Sequence, residues 1–365
     1  MASKELQVKD RIDSNIKNDT VDIYSNPKVK ITKNKTKKDN ELDIILEGSA
    51  IDYSVANAIR RAVLLYVPVY GFNRSNIKIE QKKTNYMYNN DLIYNQIETM
   101  PIYDIDSGLD VVNPEMFMTS EIMKNLFGHL LPDNDNVFTD TELPDDMADK
   151  KLHKIEIHIN MKNNTDENKF VNTHDIIYKI DGKNSDSYKK HEPVCLYVLK
   201  PNEETSLSAV ANLGNPLMHA AYESTTNAVS LELASDKFQI KYESLGQIPP
   251  YVILSKACKI LMMKLSALKK YIEKMSTEEK TESIGSEITR INLFGEDHTL
   301  GNLISTTMQK SDLIRSAGYI MTHPFKNEIS IEFALEKKTK GQALKIFNDT
   351  LDYLYKLINN IEKSL

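Results

Sequence analysis

One short pattern occurs twice in this chain, as DYSVANAI at 52–59 and as DHTLGNLI at 297–304. In both places an alternating apolar stretch leads in and a 3.6-residue periodicity runs out, so each copy reads as a strand turning into a helix. Ahead of the first copy Leu42, Ile44 and Leu46 alternate, as do Val29 and Ile31 upstream, and the polar run KNKTKK between them suits a hairpin turn. Ahead of the second, Ile288, Ile291 and Leu293 form a short strand. Asp52 or Ser54, and Asp297 or Thr299, are residue types that cap a helix start. Pro68 lacks the donor to continue the first helix, which should end near Val67.

On a helical wheel Val55, Ile59, Ala62, Val63 and Tyr66 fall on one face, and Asn57, Arg60, Arg61 and Leu64 on the other. The first is a core stripe. The second has two readings: a solvated surface with one stray leucine, or a surface covered by a partner. In the second copy Leu300, Leu303, Ile304, Thr307 and Met308 make the inner face, and His298, Asn302, Ser305 and Gln309 the outer one. Matched in order, Asp52 corresponds to Asp297, Ser54 to Thr299, Val55 to Leu300, Asn57 to Asn302 and Ile59 to Ile304. Ala56 corresponds to Gly301, and both are small enough for close approach to the helix.

The correspondence continues downstream. KFQIKYES (237–244) and NEISIEFALE (327–336) alternate as strands, and a long amphipathic helix follows each. One helix carries Leu254, Cys258, Leu261, Leu265, Leu268 and Ile272 on a stripe, the other Leu344, Phe347, Leu351, Leu354 and Ile358. A repeat this long is no solenoid. It predicts two α+β domains that pair within one chain about a pseudo-two-fold axis, as the subunits of a homodimer would. One α/β layer cannot bury both its sheet and such a helix, and each large apolar side chain contributes roughly 1.5–3 kcal/mol when buried. The expected joint is therefore helix on helix, through Leu254, Leu261, Leu265, Leu268, Leu344, Phe347, Leu351 and Leu354.

The chain divides accordingly into a loose tail (1–25), a first domain (26–105 and 201–272), a charged Gly-containing linker EKMSTEEKTESIGS (273–286) and a second domain (287–365). Residues 106–200 interrupt the first domain as a mostly-β insert, with an acidic loop at 131–150 and strands KIEIHIN (154–160) and VCLYVL (194–199). The stretch IYNQIETMPIYDI (93–105) reads as strand-like. A net charge of −6 excludes a general basic nucleic-acid footprint, so any DNA or RNA would be touched mainly through other chains. No apolar run approaches the ~20 residues of a membrane span, and the charged N-terminus lacks a signal-peptide core, so an intracellular, non-secreted protein is expected. Cys195 and Cys258 are too few and too far apart for a disulfide framework or a zinc pair. His153 and His158 would point to opposite faces of one strand and make a poor metal pair.

ANAIRRAVLLYVPVYGF (56–72), followed by IETMPI (97–102), resembles the alpha-like assembly subunit of RNA polymerases: bacterial alpha, archaeal D and the third eukaryotic subunit. GEDHTLGNLIS (295–305), followed by YIMTHPF (319–325), resembles its smaller partner, archaeal L or the eleventh eukaryotic subunit. The resemblance covers about residues 26–365. Those subunits are normally separate chains that heterodimerise; here they lie in one chain, as in fused polymerase subunits of large nucleocytoplasmic DNA viruses. The resemblance implies a non-catalytic platform in transcription on which the two largest catalytic subunits assemble, with small polymerase subunits beside them. It implies no catalytic residue, cofactor, metal, membrane or homo-oligomer. It places the protein in the virion and host-cell cytoplasm if viral, and in nucleus or cytoplasm otherwise. It carries a large-subunit interface onto Asn57, Arg60, Arg61, Leu64, His298, Thr299 and Asn302, although Thr299 reads equally as a cap and His298 as a local hydrogen-bonding group. Several relatives hold zinc or iron–sulfur on a cysteine cluster in the insert, and with Cys195 alone there this chain has no such site. Two other readings stand beside this one. One is a dimer-like protein-binding module outside any polymerase. The other is a metal-dependent enzyme using the carboxylates and Asn residues of 133–149, which suit Mg²⁺ or Ca²⁺ but lack EF-hand spacing and a partnered nucleophile or base.

Overall fold

The computed structural model describes residues 27–83 except 37, 90–105 except 104, 153–274, 282–284, 288–336 except 322 and 324–327, and 342–365. The tail, the acidic loop and most of the linker lie outside these residues. In chain order the elements are β1 Lys30–Lys33, β2 Glu41–Glu47, α1 Tyr53–Leu65, β3 Val69–Gly71, β4 Ile77–Lys83 and α2 Asn90–Glu98. Then come β5 Ile155–Lys162, β6 Lys169–Asn172, β7 Ile177–Ile180, β8 Lys183–Ser185, β9 Cys195–Leu199, β10 Glu204–Gly214, β11 Val229–Ala234 and β12 Lys237–Glu243. The last are α3 Pro250–Lys274, β13 Glu282–Ile284, β14 Ile288–Phe294, α4 His298–Gln309, β15 Ile314–Met321, β16 Glu328–Leu335 and α5 Ala343–Lys363.

The repeated sequence gives a repeated architecture. The first half has a four-stranded antiparallel sheet in the order β1-β2-β12-β11, and the second half has β13-β14-β16-β15. In each, the strand ahead of the motif pairs with the strand ahead of the long helix: Ile44 faces Ile240 in one and Ile291 faces Ile331 in the other. All four side chains are buried. Each motif begins with an aspartate that caps its helix. Asp52 accepts from the backbone N–H groups of Ser54 (2.7 Å) and Val55 (3.0 Å), and Asp297 from that of Thr299 (2.7 Å). The aspartates, not Ser54 or Thr299, are therefore the caps.

The inner wheel faces are buried as expected, Val55 to Tyr66 in α1 and Leu300 to Met308 in α4. Gly301 is approached by its own sheet: a Cβ there would lie 2.6 Å from the Tyr319 ring and 2.9 Å from Cδ1 of Ile329. Two readings change. Residues 90–98 form the helix α2, not a strand, with Ile93 and Ile97 buried four residues apart on one face. The middle sheet, in the order β3-β10-β5-β7-β8 with β4 also on β10, takes strands from 69–83 and 204–214 as well as from 155–185. Its limits are thus wider than 106–200, because the long strand β10 is shared between the segments on both sides.

Candidate functional site

The two halves meet through four helices. α3 packs on α5 and α1 packs on α4, while α1 also touches α3 and α4 touches α5. The start of α3 meets the end of α5: Ser255 donates to Glu362 at 2.9 Å, and the Lys259 ammonium lies 3.5 Å from the same carboxylate. Further along, Lys269 donates to both oxygens of Asp352 at 2.8 Å. The long helices therefore run antiparallel. Of the side chains expected in this joint, Leu254, Leu261, Leu265, Leu268, Phe347, Leu351 and Leu354 are buried, while Leu344 is half-buried at the margin. The C-terminal helix is also tied to the first half by Asn360, which donates to the Pro27 carbonyl at 2.9 Å, and by Lys33, which donates to the Leu365 carbonyl.

α1 and α4 exchange charge reciprocally. The cap carboxylate of α4, Asp297, receives the Arg61 guanidinium of α1 at 2.7 Å, while Arg61 also donates to the Thr299 hydroxyl at 2.8 Å. The cap carboxylate of α1, Asp52, is ion-paired with Lys310 just past α4. Tyr66 donates from α1's end toward Asp297 (3.2 Å) and Thr299 (3.0 Å), and Tyr53 and Thr306 share a hydrogen bond at 3.3 Å. Burial alone would raise both carboxyls. For Asp52 the Lys310 charge and the cap hydrogen bonds outweigh it, and for Asp297 the Thr299 bonds and Arg61 do, so both sit below the ordinary carboxylate range. The Tyr66 phenol is pushed well up by burial and by Asp297 and Glu296, which keeps it a neutral donor.

Beneath this lies a second contact that the sequence reading missed. Lys264 of α3 and Glu296, the residue before the α4 cap, form an ion pair at 3.1 Å with side chains 3% and 2% exposed. The Lys264 ammonium also sits 5.0 Å over the Tyr66 ring. Burial pushes the Glu296 carboxyl up to about 7, against the pull of Lys264. The available signal was Lys264 itself, a charge between Leu261 and Leu268 on the apolar stripe of the long helix.

The expectation changes for two outer-face residues, Arg61 and Ser305, and for Thr299, expected at the large-subunit interface or as a cap. Arg61 and Thr299 are turned into the joint and bonded to each other, and Thr299 is buried. Ser305 is buried too. A wheel gives the angle of a side chain, not what packs there, and the pairing of the halves covers part of the second face. Asn57, Arg60, Leu64 and Asn302 are half-buried, and His298 is exposed with its Nδ1 3.1 Å from the Tyr319 hydroxyl. Asn57 accepts from Nε (3.0 Å) and Nη2 (2.8 Å) of Arg60, holding that guanidinium flat along the helix. Among the described residues no group of three or more His, Cys, Asp or Glu is placed to hold a metal, and no helix is long and apolar enough to cross a membrane. The acidic loop 133–149 lies outside the described residues.

Two stretches of the chain, 46–265 and 289–364, each match the RNA polymerase Rpb3/Rpb11 dimerisation domain. Those stretches contain the two capped helices, the whole of α5 and residues 250–265 of α3. The chain is also 43% identical over 345 residues to a protein of Acanthamoeba polyphaga mimivirus named as a DNA-directed RNA polymerase subunit, R470. The alignment covers 94% of this chain and 95% of that one.

Proposed function

Because this chain belongs to the RNA polymerase Rpb3/Rpb11 dimerisation family, we propose that it is a non-catalytic assembly subunit of a DNA-directed RNA polymerase. It acts in transcription as a pseudo-heterodimer folded from one chain, and it nucleates assembly of the two largest catalytic subunits. The observation that carries this reading is the reciprocal joint, in which each half supplies the cation for the other's helix cap. A platform must present fixed surfaces, and a joint made of two antiparallel long helices and two crossed ion pairs holds the halves in one relation. Covalent linkage adds to this: tethered halves see each other at roughly millimolar effective concentration when the linker spans the gap.

The surfaces offered to the large subunits are the half-buried Asn57, Arg60 and Leu64 on α1, and His298 and Asn302 on α4. DNA and RNA are met mainly through the complex, in keeping with a net charge of −6. The likeness to a mimivirus polymerase subunit supports a viral setting, in the virion and the host-cell cytoplasm. The test is co-expression of the tagged chain with the two largest polymerase subunits from the same source. The expected result is co-purification, and Leu64→Glu should cut recovery of the second-largest subunit about tenfold, the loss of one interface anchor, while the chain stays folded. Large subunits that assemble at full yield without the chain would overturn the proposal.

A further inference from the structure

β11 is an edge strand whose pattern is turned inside out. Among the described strands it pairs only with β12, so its other side carries unpaired backbone donors and acceptors. Its register sets Ser230 opposite Ile240 and Glu232 opposite Phe238, two core side chains. Residues directly opposite share a face, so Ser230, half-buried, and Glu232, still exposed, stand on the core side of β11. Val229 and Leu231 lie opposite Lys241 and Gln239, on the solvent side. They are 44% and 53% exposed, and Leu233 at the following bulge is 50% exposed. The neighbouring strands fill that same face with charge, including Asp43, Glu47, Lys237 and Lys241. The counterpart edge β15 exposes Arg315 and Ser316 and a single large apolar side chain, Ile320, and so carries no such apolar row.

On the other side of the same edge stands Arg60. Its Nη1 reaches the carbonyl of Ala228, the residue before β11, at 3.5 Å. No carboxylate among the described residues pairs with it; its one charged influence is Arg61, a like charge. A half-buried guanidinium held in place by Asn57 and unanswered by any acid is preorganised to receive one.

We propose that an extended segment of a large polymerase subunit adds to β11 as a further strand, with apolar residues over Val229 and Leu231 alternating with acidic residues directed to Arg60. Strand addition supplies the hydrogen bonds of the open edge, and the two sides of that edge set the pattern the segment must carry. The identity of the partner rests on the assembly-subunit reading; the edge chemistry does not. The full-length chain is titrated with a fluorescein-labelled eight-residue peptide of alternating Val and Glu, followed by anisotropy, with deuterium exchange of 229–234 measured in parallel. Controls are a peptide with the same residues segregated into two blocks, and the alternating peptide with its backbone N-methylated. The expected result is saturable binding by the alternating peptide alone, with protection of β11. Arg60→Gln and Leu231→Glu should each weaken binding about tenfold, and Leu231→Ile should retain it. Equal binding of the segregated peptide, protection outside β11, or unchanged affinity of Leu231→Glu would overturn the proposal. So would a chain that dimerises through β11 in sedimentation, since a second copy would then be the occupant. Val229→Glu/Leu231→Glu chains that capture the large subunits at full yield would overturn the partner. Failure of the assembly-subunit reading is distinct, because it appears as no capture by the unsubstituted chain.

Discussion

Lys264→Met tests the buried contact between the halves most sharply, because its cost depends on pH in a direction the structure fixes. Glu296 titrates near 7 in the fold and near 4.5 when unfolded. The folded state therefore holds the proton more tightly, and this group's contribution to stability is fully present below pH 4.5 and is lost as pH rises through about 7. The fall is on the order of 3 kcal/mol. Above pH 7 the unsubstituted chain levels off, because the carboxylate is then formed and paired with Lys264. Without Lys264 the buried carboxylate has lost that ammonium, and its pKa moves further up. Stability then keeps falling above pH 7, by about 1.4 kcal/mol per pH unit until the new pKa is reached. Complete loss of a buried partner typically costs about 3–5 kcal/mol. At pH 7 the parent's Glu296 is itself about half protonated, so this group's share of the loss is there only about 0.4 kcal/mol, and it grows as pH rises. The assay is urea unfolding of both chains from pH 6 to 9, with Glu296→Gln in each background to remove the slope. Parallel stability curves for the parent and Lys264→Met across pH 7–9 would refute this reasoning.

The half-exposed Arg61–Asp297 pair predicts a smaller loss. Arg61→Asp should lower stability by about 1–2 kcal/mol, and combining it with Asp297→Arg should recover part of that loss in a double-mutant cycle of urea midpoints. Gly301→Ala should destabilise by about 1–3 kcal/mol, because a Cβ 2.6 Å from the Tyr319 ring overpacks the site and outweighs the roughly 1 kcal/mol of helix propensity that alanine gains. Thermal unfolding checks this, and a raised midpoint would contradict it.

How much was legible in the sequence differs from element to element. The inner faces of α1 and α4 were legible because burial follows period 3.6, and the caps only to within two residues, because Asp52 and Ser54, like Asp297 and Thr299, are all capping types and the fold chose the aspartates. The long-helix joint was legible because one half's sheet could not bury the whole apolar stripe of its long helix, although part of that stripe packs at home, as Phe347 does on Phe333 of β16. Pairing across the joint was not. Arg61 and Lys310 lie on surfaces that look solvated in their own helices, and only the other half supplies Asp297 and Asp52. α2 was misread because Ile93 and Ile97 sit among residues with little helix bias, although their spacing of four was the helical signal. Val229, Leu231 and Leu233 alternate cleanly, but alternation cannot say which face is inward, and here the register puts the apolar side out.

The crossed ion pairs do not by themselves decide which halves recognise each other. By the correspondence of the motifs, Arg61 takes the place of Thr306 and Leu65 the place of Lys310. Two first halves brought together would set each Asp52 against the other's Arg61, as Asp297 is set here, and two second halves would set each Asp297 against the other's Lys310, as Asp52 is set here. Either like-with-like assembly therefore keeps a cation for each desolvated aspartate, and the caps alone give the halves no preference for each other. The preference comes instead from the chain itself, which presents to each first half, at high local concentration, the second half that emerges behind it.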